Sequence, residues 1–174
     1  MERVMIIGCA GSGKTTLANQ LGHLLKSEII YLDQHFWQGG WERELSDDKW
    51  KHIVEELTGK PRWVMDGNYG GTQELRFEKA DTVIFLDRST WRCLWRVLRR
   101  TLRYHGQPRP HMPEGCPERF DWEFTHYILR YNLTRRPKIL KRLTGFDGTK
   151  RVHILRSDHE VQDFLQQVAS RVKD

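Results

Sequence analysis

Residues 8–15 read GCAGSGKT, which places glycines, a lysine and a threonine in the spacing G-x-x-x-x-G-K-[ST]. Glycines in such a loop let the backbone curl so that its N–H groups surround an anion. At this spacing the ammonium of Lys14 reaches the β- and γ-phosphates of a nucleotide, and the hydroxyl of Thr15 holds Mg²⁺. The motif therefore predicts a site for ATP and Mg²⁺.

The alternative interpretation of these residues is a glycine-rich turn that binds nothing. The context argues against it, because the apolar residues 4–7 predict a strand before the loop, and leucines at helical spacing predict a helix after it. The positive end of that helix would also face the phosphates. The residues that we expect to bind the nucleotide here are Gly8, Ala10, Gly11, Ser12, Gly13, Lys14, Thr15 and Thr16.

Three aspartates, Asp33, Asp66 and Asp87, each follow an apolar run that predicts a strand. Ligands of parallel α/β sheets bind at the carboxyl ends of the strands, so all three are candidates for chemistry. We expect Asp66 to serve Mg²⁺ or its water, with Asp87 as the weaker alternative. Asp33 would accept a proton from an attacking hydroxyl, which favours a hydroxyl as the phosphoryl acceptor. Each aspartate could instead cap a turn or a helix.

The segment after Asp87 predicts a long helix with two distinct faces, from about Ser89 to Tyr104. Six arginines share about a third of its helical wheel, namely Arg88, Arg92, Arg96, Arg99, Arg100 and Arg103. The opposite arc is apolar and consists of Trp91, Leu94, Trp95, Leu98 and Leu102. No acidic residue occurs between Arg88 and Arg109. The uncompensated guanidinium groups repel one another and favour an anionic partner, although a solvated amphipathic helix is the alternative.

Two further segments are expected to complete the site. Residues 34–60 follow Asp33 and begin with an aromatic-rich loop, over about residues 34–45, whose rings could stack on a base or sugar, or cover the core. Residues 105–118 hold four of the six prolines, and we expect a short lid that excludes water. The arginines that such a lid could bring towards the phosphates are Arg109, Arg119 and Arg130. The residues His105, His111 and Cys116 match no zinc spacing.

Apolar runs near residues 4–7, 28–32, 63–66, 82–87 and 151–155 alternate with helical stretches. This alternation predicts an α/β fold with a parallel sheet covered on both faces. We expect residues 1–174 to form a single domain. The 38% hydrophobic content fits a folded domain, and the net charge of +6 suits phosphate-bearing ligands or nucleic acid. Three cysteines and the lack of a leader or membrane-spanning segment favour the cytoplasm.

The chain resembles adenylate-kinase-type P-loop kinases, and more closely the bacterial DNA topology modulation proteins of the FlaR type. The resemblance covers nearly the whole length. It depends on GCAGSGKT, LDQHFW, VMDGNY, FLD before the arginine-rich helix, and GCPERFDWEF before RRPKIL. It implies a P-loop NTPase fold with three α/β/α layers and a five-stranded parallel sheet, an acceptor-binding insertion at 34–60 and a short lid at 105–118.

The resemblance also implies roles for individual residues. Arg96 and Arg100 match two arginines, one helical turn apart, that meet ATP in adenylate kinases, and Arg156 would lie near the adenine. Adenylate kinases carry an arginine for the AMP phosphate soon after the third strand. Here the residues after Asp66 and Gly67 are Asn68, Tyr69 and Gly70, and the next arginine is Arg76. The usual AMP site is therefore not expected in its usual form.

Two functions are compatible with these patterns. The first is a Mg²⁺-dependent kinase that transfers the γ-phosphoryl group of ATP to a nucleotide, a nucleoside or another small hydroxyl compound. In it Lys14, Asp33, Arg96 and Arg100 would act in catalysis, and Thr15 and Asp66 would hold the metal. The second is a nucleic-acid-binding regulator with little kinase activity, in which ATP is only a switch. We favour the kinase, because a phosphate clamp already explains the positive charge.

Overall fold

A computed structural model describes residues 1–37, 40–41, 45–146 and 148–173. Its five strands are β1 (Arg3–Gly8), β2 (Ile29–Tyr31), β3 (Trp63–Asp66), β4 (Thr82–Leu86) and β5 (Arg151–Leu155). They form one parallel sheet in the order β2-β3-β1-β4-β5. The register places Ile6 beside Asp66, and Gly8 beside Leu86. The phosphate loop therefore leaves the sheet at its centre, between the ends of β3 and β4.

The helices are α1 (Lys14–Leu25), α2 (Leu32–Phe36), α3 (Asp47–Gly59), α4 (Gln73–Lys79), α5 (Thr90–Arg103), α6 (Trp122–Thr134), α7 (Arg136–Thr144) and α8 (Asp158–Lys173). A single 3-10 turn, Gly70–Thr72, precedes α4. Ser46 caps α3 by accepting a hydrogen bond from the backbone N–H of Lys49, and Asp121 caps α6 in the same way. No helix within the described ranges is long and apolar enough to cross a membrane.

Alternate residues of the strands face two separate cores. On one side Val4 and Ile6 of β1 pack with residues of α1 and α8, including Leu17 and Phe164. On the other side Met5 and Ile7 pack with residues from α3 to α7. This alternation follows from the pleat of a strand, which turns successive side chains to opposite faces. The structure therefore confirms the predicted three-layer α/β/α arrangement with a five-stranded parallel sheet.

The loop predicted over residues 34–45 begins differently in the structure, because residues 32–36 form the short helix α2. Leu32 is completely buried, and Phe36 packs edge-on against Trp50 of α3 at a centroid distance of 5.0 Å. These tertiary contacts favour a helical turn where local composition predicted a loop. The rest of the predicted loop includes residues 38–39 and 42–44, which lie outside the described residues.

The apolar arc predicted for α5 faces solvent over much of its length. Trp91 is 75% exposed and Leu102 is 72% exposed. The buried residues are Cys93, Val97 and Thr101, which lie between the apolar and basic arcs. They face the phosphate loop and the neighbouring elements. Gly11 of the loop lies so close to the backbone of α5 that a Cβ atom on Gly11 would be 2.4 Å from the carbonyl oxygen of Cys93. Contact with the loop, rather than helical periodicity, thus decides which face of α5 is buried.

Candidate active site

The phosphate loop joins the end of β1 to the start of α1. Gly11 and Gly13 adopt φ angles of 77° and 102°, which side chains other than glycine rarely tolerate. The N–H of Ser12 donates to the carbonyl oxygen of Cys9 at 3.1 Å, which closes the turn. The ammonium of Lys14 donates to the same oxygen at 3.2 Å. The backbone of the loop therefore folds back towards the Lys14 side chain, and it has the curved conformation that an anion-binding loop requires.

Asp66 lies beside the start of α1, and the Thr15 hydroxyl donates a hydrogen bond of 2.6 Å to its Oδ2. The other carboxylate oxygen, Oδ1, is buried and has no hydrogen-bond partner among the described residues. Burial raises the pKa of Asp66 above its ordinary value, and the charge of Asp33 adds to this, although Lys14 and the Thr15 hydroxyl oppose it. A carboxylate and a hydroxyl are the hard oxygen ligands that Mg²⁺ prefers. The residues present therefore fit a Mg²⁺ ion.

Asp87, the alternative metal ligand, has guanidinium groups on both of its oxygens. The Nε and Nη2 of Arg136 donate to it at 2.6 Å and 2.9 Å. The Nε of Arg156, predicted near the adenine, lies 3.4 Å from its Oδ2. Ser89 is the cap residue of α5, so Asp87 does not cap that helix. The arrangement favours Asp66 over Asp87 as the residue available to a metal.

The basic face of α5 is partly neutralised, which corrects the expectation that its guanidinium groups are uncompensated. Asp158, in the first turn of α8, forms ion pairs with Arg88, Arg92 and Arg96, at 2.9 Å for Arg88 and 3.1 Å for Arg96. Arg96 also donates to the carbonyl oxygen of Ser12 at 3.2 Å, so it is fastened to the phosphate loop. The compensating acid is more than 60 residues away in the sequence, which is why a local pattern did not reveal it.

Arg100, one turn after Arg96, does not contact the loop in this way. It is directed towards Glu118, with its Nε 3.2 Å from the carboxylate, and burial lowers its pKa to about 10. Arg109 lies 3.4 Å from the same carboxylate and donates to Oδ2 of Asp33 at 2.9 Å. The Tyr69 hydroxyl donates to Oδ1 of Asp33 at 2.6 Å. Of the two arginines predicted to meet ATP, Arg96 therefore lies at the loop and Arg100 lies at Glu118.

Residues 105–118 lie across the end of β2. The ring of His111 stacks on Tyr31, with 4.1 Å between the ring centroids. The indole N–H of Trp41 donates to the carbonyl oxygen of Pro117 at 2.8 Å. Together with Arg109, these contacts hold the segment over Asp33. Of the other two arginines predicted to approach the phosphates, Arg119 lines a cleft that also includes the phosphate loop and Asp33, whereas Arg130 is exposed on α6.

Several residues that position the site were not singled out from the sequence. The Asn68 side chain exchanges two hydrogen bonds with the backbone of Gly8, at 2.8 Å and 3.1 Å, and so ties β3 to the start of the loop. Arg76 is completely buried and donates to the carbonyl oxygens of Gly67 and Tyr69, at 2.8 Å and 2.9 Å, and to that of Asn68 between them. The only signal in the sequence was indirect, since Arg76 is the first arginine after the third strand.

A single cleft of about 1680 Å³ connects these features. It runs from the phosphate loop and the basic face of α5 past Asp66 to Asp33, Trp37 and Trp41. This volume exceeds that of an ordinary small-molecule pocket, which holds about 300–1,000 Å³. The cleft is thus large enough for two ligands side by side, with Thr15 and Asp66 between them.

No protein-family model matches the chain, and no curated protein matches it in sequence. Two solved structures of similar fold are shikimate kinases. The enzyme from Acinetobacter baumannii, in complex with shikimate, has a TM-score of 0.63 at 20% identity, over 99% of this chain and 93% of that chain. The enzyme from Bacteroides thetaiotaomicron has a TM-score of 0.57 at 15% identity, over 99% of both chains. The chain therefore has the P-loop α/β fold of these kinases.

Proposed function

We propose that this protein is a kinase that transfers the γ-phosphoryl group of ATP to a hydroxyl group of a small molecule. The acceptor would be a nucleotide, a nucleoside or another small hydroxyl compound. The observation that carries the proposal is the contact between Thr15 and Asp66. In this contact a hydroxyl of the phosphate loop donates to a buried carboxylate, whose other oxygen has no hydrogen-bond partner among the described residues. Both residues line the cleft that also contains a second carboxylate, Asp33.

The residues would divide the reaction between them. Lys14 and the loop residues would hold the phosphates, and Arg96, fastened to Ser12, would add positive charge beside them. Thr15 and Asp66 would hold Mg²⁺, which would supply positive charge to the phosphates of ATP. The acceptor oxygen forms a bond to the γ-phosphorus while the bond to the β–γ bridging oxygen breaks and ADP leaves. The acceptor proton passes to Asp33, which lies at the other end of the cleft.

The roles proposed for two further segments depend on sequence motifs and on where the segments lie relative to Asp33. Residues 34–60 would bind the acceptor, and residues 105–118 would act as a lid, because Arg109, His111 and Pro117 place that segment over Asp33. Arg100 would add positive charge on the transferred phosphoryl group, and Arg156 would lie near the adenine. We also infer that the chain is a single-domain relative of the FlaR-type topology modulation proteins and acts in the cytoplasm.

The test is nucleotide binding and turnover in a Lys14→Ala variant. We expect wild-type protein with Mg²⁺ to bind ATP in calorimetry and to release ADP when an acceptor is added. The variant should lose at least about 100-fold in turnover, because a preorganised positive charge on the phosphates is removed. Lys138→Ala, which removes an exposed lysine on α7, is the matched control and should behave as wild type. Unchanged ADP release in Lys14→Ala would refute the proposal.

The alternative, a nucleic-acid-binding regulator, is less well supported. The basic face of α5 is partly paired with Asp158, which reduces the charge open to a duplex. We expect only non-specific binding to duplex DNA, with a Kd of about 10⁻⁴–10⁻⁶ M at physiological salt and a steep salt dependence. A gel assay across salt, with and without ATP, measures this. Tighter binding that ATP does not displace would favour the regulator.

A further inference from the structure

We propose that the acceptor is an uncharged hydroxyl compound with a flat or ring-shaped face, such as a nucleoside or a cyclic polyol, and not a phosphate ester or a carboxylate. This inference depends on the kinase function proposed above and specifies its substrate. It concerns the far end of the cleft, hereafter the acceptor end, which is formed by Asp33, Trp37, Trp41, Tyr69 and Arg109.

The positive charges described at the acceptor end are already matched by carboxylates. Arg109 lies between Asp33 and Glu118, at 2.9 Å and 3.4 Å. Arg100 lies 3.2 Å from Glu118, whose side chain is only 4% exposed. An anionic acceptor would have to draw an arginine away from one of these carboxylates. That would leave a carboxylate in or beside the cleft without its partner, which is unfavourable in a partly buried site.

Arg76, which contacts the backbone of Tyr69, is equally unavailable. Arg76 is the first arginine after the third strand, but it is completely buried. Its guanidinium donates to the backbone of residues 67–69 and, at 3.3 Å, to the carbonyl oxygen of Thr72. Asp66 meanwhile adds a further carboxylate between the acceptor end and the loop. An anion at the acceptor end would therefore meet Arg100 and Arg109 only as partners of Glu118 and Asp33.

The opposite end of the cleft carries an excess of positive charge. There Arg88, Arg92 and Arg96 share the single carboxylate of Asp158. The ammonium of Lys14 contacts a backbone carbonyl rather than an acid. Positive charge is thus in excess where the triphosphate would bind and balanced where the acceptor would bind. This division favours one anionic substrate and one neutral substrate.

Aromatic side chains supply the surface that a neutral ring would need. Trp37 and Trp41 both line the cleft, with ring centroids 5.5 Å apart and planes inclined by 66°. Tyr69 continues this surface and hydrogen-bonds Asp33. A ring packed on these faces would bring a hydroxyl to Asp33, since apolar contact provides the affinity and a few polar groups fix the orientation.

The test measures binding of matched compounds in the presence of Mg²⁺ and a non-hydrolysable ATP analogue. Each pair shares one ring and differs in charge: adenosine with AMP, guanosine with GMP, and the methyl ester of shikimate with shikimate itself, which carries a carboxylate. Turnover with ATP is then followed by ADP release, and the product is identified by mass. We expect a neutral member to bind and to be phosphorylated, with a kcat/KM at least tenfold above that of its charged partner.

Two variants test the physical cause. Glu118→Gln releases Arg100 and Arg109 from their shared carboxylate, so the charged member of the pair should gain about tenfold in affinity while the neutral member is unchanged. Trp37→Ala should raise the KM for the neutral acceptor and leave the Kd for ATP unaltered. Trp91→Ala removes a tryptophan that is 75% exposed on α5, outside the cleft, and is the control.

The possible outcomes separate this inference from the kinase proposal. Preference for the charged members, or failure of every neutral compound to bind while ATP still binds, would overturn the inference and leave the kinase proposal standing. Equal gains for both members in Glu118→Gln would also contradict it. Loss of ATP binding by the wild-type protein would refute the kinase proposal itself.

Discussion

Arg76 is the residue whose role the tertiary structure changes most. Its guanidinium bonds to the carbonyl oxygens of the turn between β3 and α4, the same turn that carries Asn68 and Tyr69 to the cleft. An arginine suits this position because its planar fork can reach several carbonyl groups at once. Burial lowers its pKa to about 9. Arg76 therefore acts as a structural support for site residues rather than as a ligand for an anion.

Arg76→Met should lower the free energy of unfolding by about 2–4 kcal/mol, because buried carbonyl groups lose their donors. Urea unfolding measures this change. The control is Arg142→Met, which removes an arginine whose ion pair with Glu74 is exposed, and its effect should be no more than about 1 kcal/mol. Similar losses in the two variants would show that Arg76 does not have this supporting role.

Replacing Asp66 and replacing Asp87 by asparagine should have opposite effects on Mg²⁺ binding and on stability. In Asp66→Asn we expect Mg²⁺ to bind the protein–ATP complex at least about 10-fold more weakly, because the charged oxygen beside Thr15 is lost. In Asp87→Asn, which loses its two guanidinium partners, stability should fall and the Mg²⁺ dependence should not change. A Mg²⁺ titration of ATP binding by calorimetry measures both. The reverse pattern would assign the metal to Asp87.

At the scale of elements, α5 is fastened to the loop and to α8 along one edge, while its tryptophans face solvent. Arg96 joins the two contacts, since it reaches Ser12 and Asp158 together. The position of α5 relative to the phosphate loop thus depends on an acidic residue at the start of the last helix. Asp158 also lies in the first turn of α8, where a negative charge stabilises the helix.

Asp158→Asn should destabilise the protein by about 0.5–1 kcal/mol at pH 7, since the pairs are partly exposed. Burial acts to raise the pKa of Asp158, but Arg96, Arg88 and Arg92 outweigh it and hold the pKa below its ordinary value of 3.8. A carboxyl group whose pKa is lowered on folding stabilises the folded state at pH values above its pKa in the unfolded chain. That stabilisation is lost as the pH falls through the folded pKa. The difference between variant and wild type should therefore shrink below about pH 4. Urea unfolding at several pH values would contradict this if the difference stayed constant.

At the scale of the whole molecule, the sheet brings the loop, Asp66 and Asp33 to one edge. Because β1 lies at the centre, between β3 and β4, residues from the segments that follow β1, β2, β3 and β4 line the same cleft. Elements from both ends of the chain pack together, because α8 lies against α1, the helix that follows the phosphate loop. Ligand binding to this edge should therefore stabilise the molecule as a unit.

Mg²⁺ and ATP at 100 times the Kd should raise the unfolding free energy by about 2.7 kcal/mol, because the ligand binds only the folded state. For a domain of this size, that corresponds to an increase in Tm of about 5–10 °C. Lys14→Ala should lose most of the increase, and Lys138→Ala should retain it. Scanning calorimetry gives the result, and an unchanged wild-type Tm at saturating nucleotide would contradict the prediction.

The sequence by itself determined the alternation of strands and helices, apart from α2, and the three-layer α/β/α class. Strands β1, β3 and β4 are short apolar runs, and such runs keep their character whatever they pack against. The phosphate loop was equally recognisable, because its chemistry depends on residues that are adjacent in the chain. The position of Asp66 next to the loop followed from the rule that parallel strands end at one edge.

Only the tertiary structure decided what surrounds these residues. It placed Asp158 against the α5 arginines, Glu118 against Arg100 and Arg109, and Arg76 inside the turn after β3. It also turned the tryptophans of α5 to solvent and made α2 a helix. Each of these depends on contacts between segments far apart in sequence, and hydrophobic periodicity carries no information on which neighbour a face will meet. The charge at each end of the cleft is therefore a property of the folded molecule.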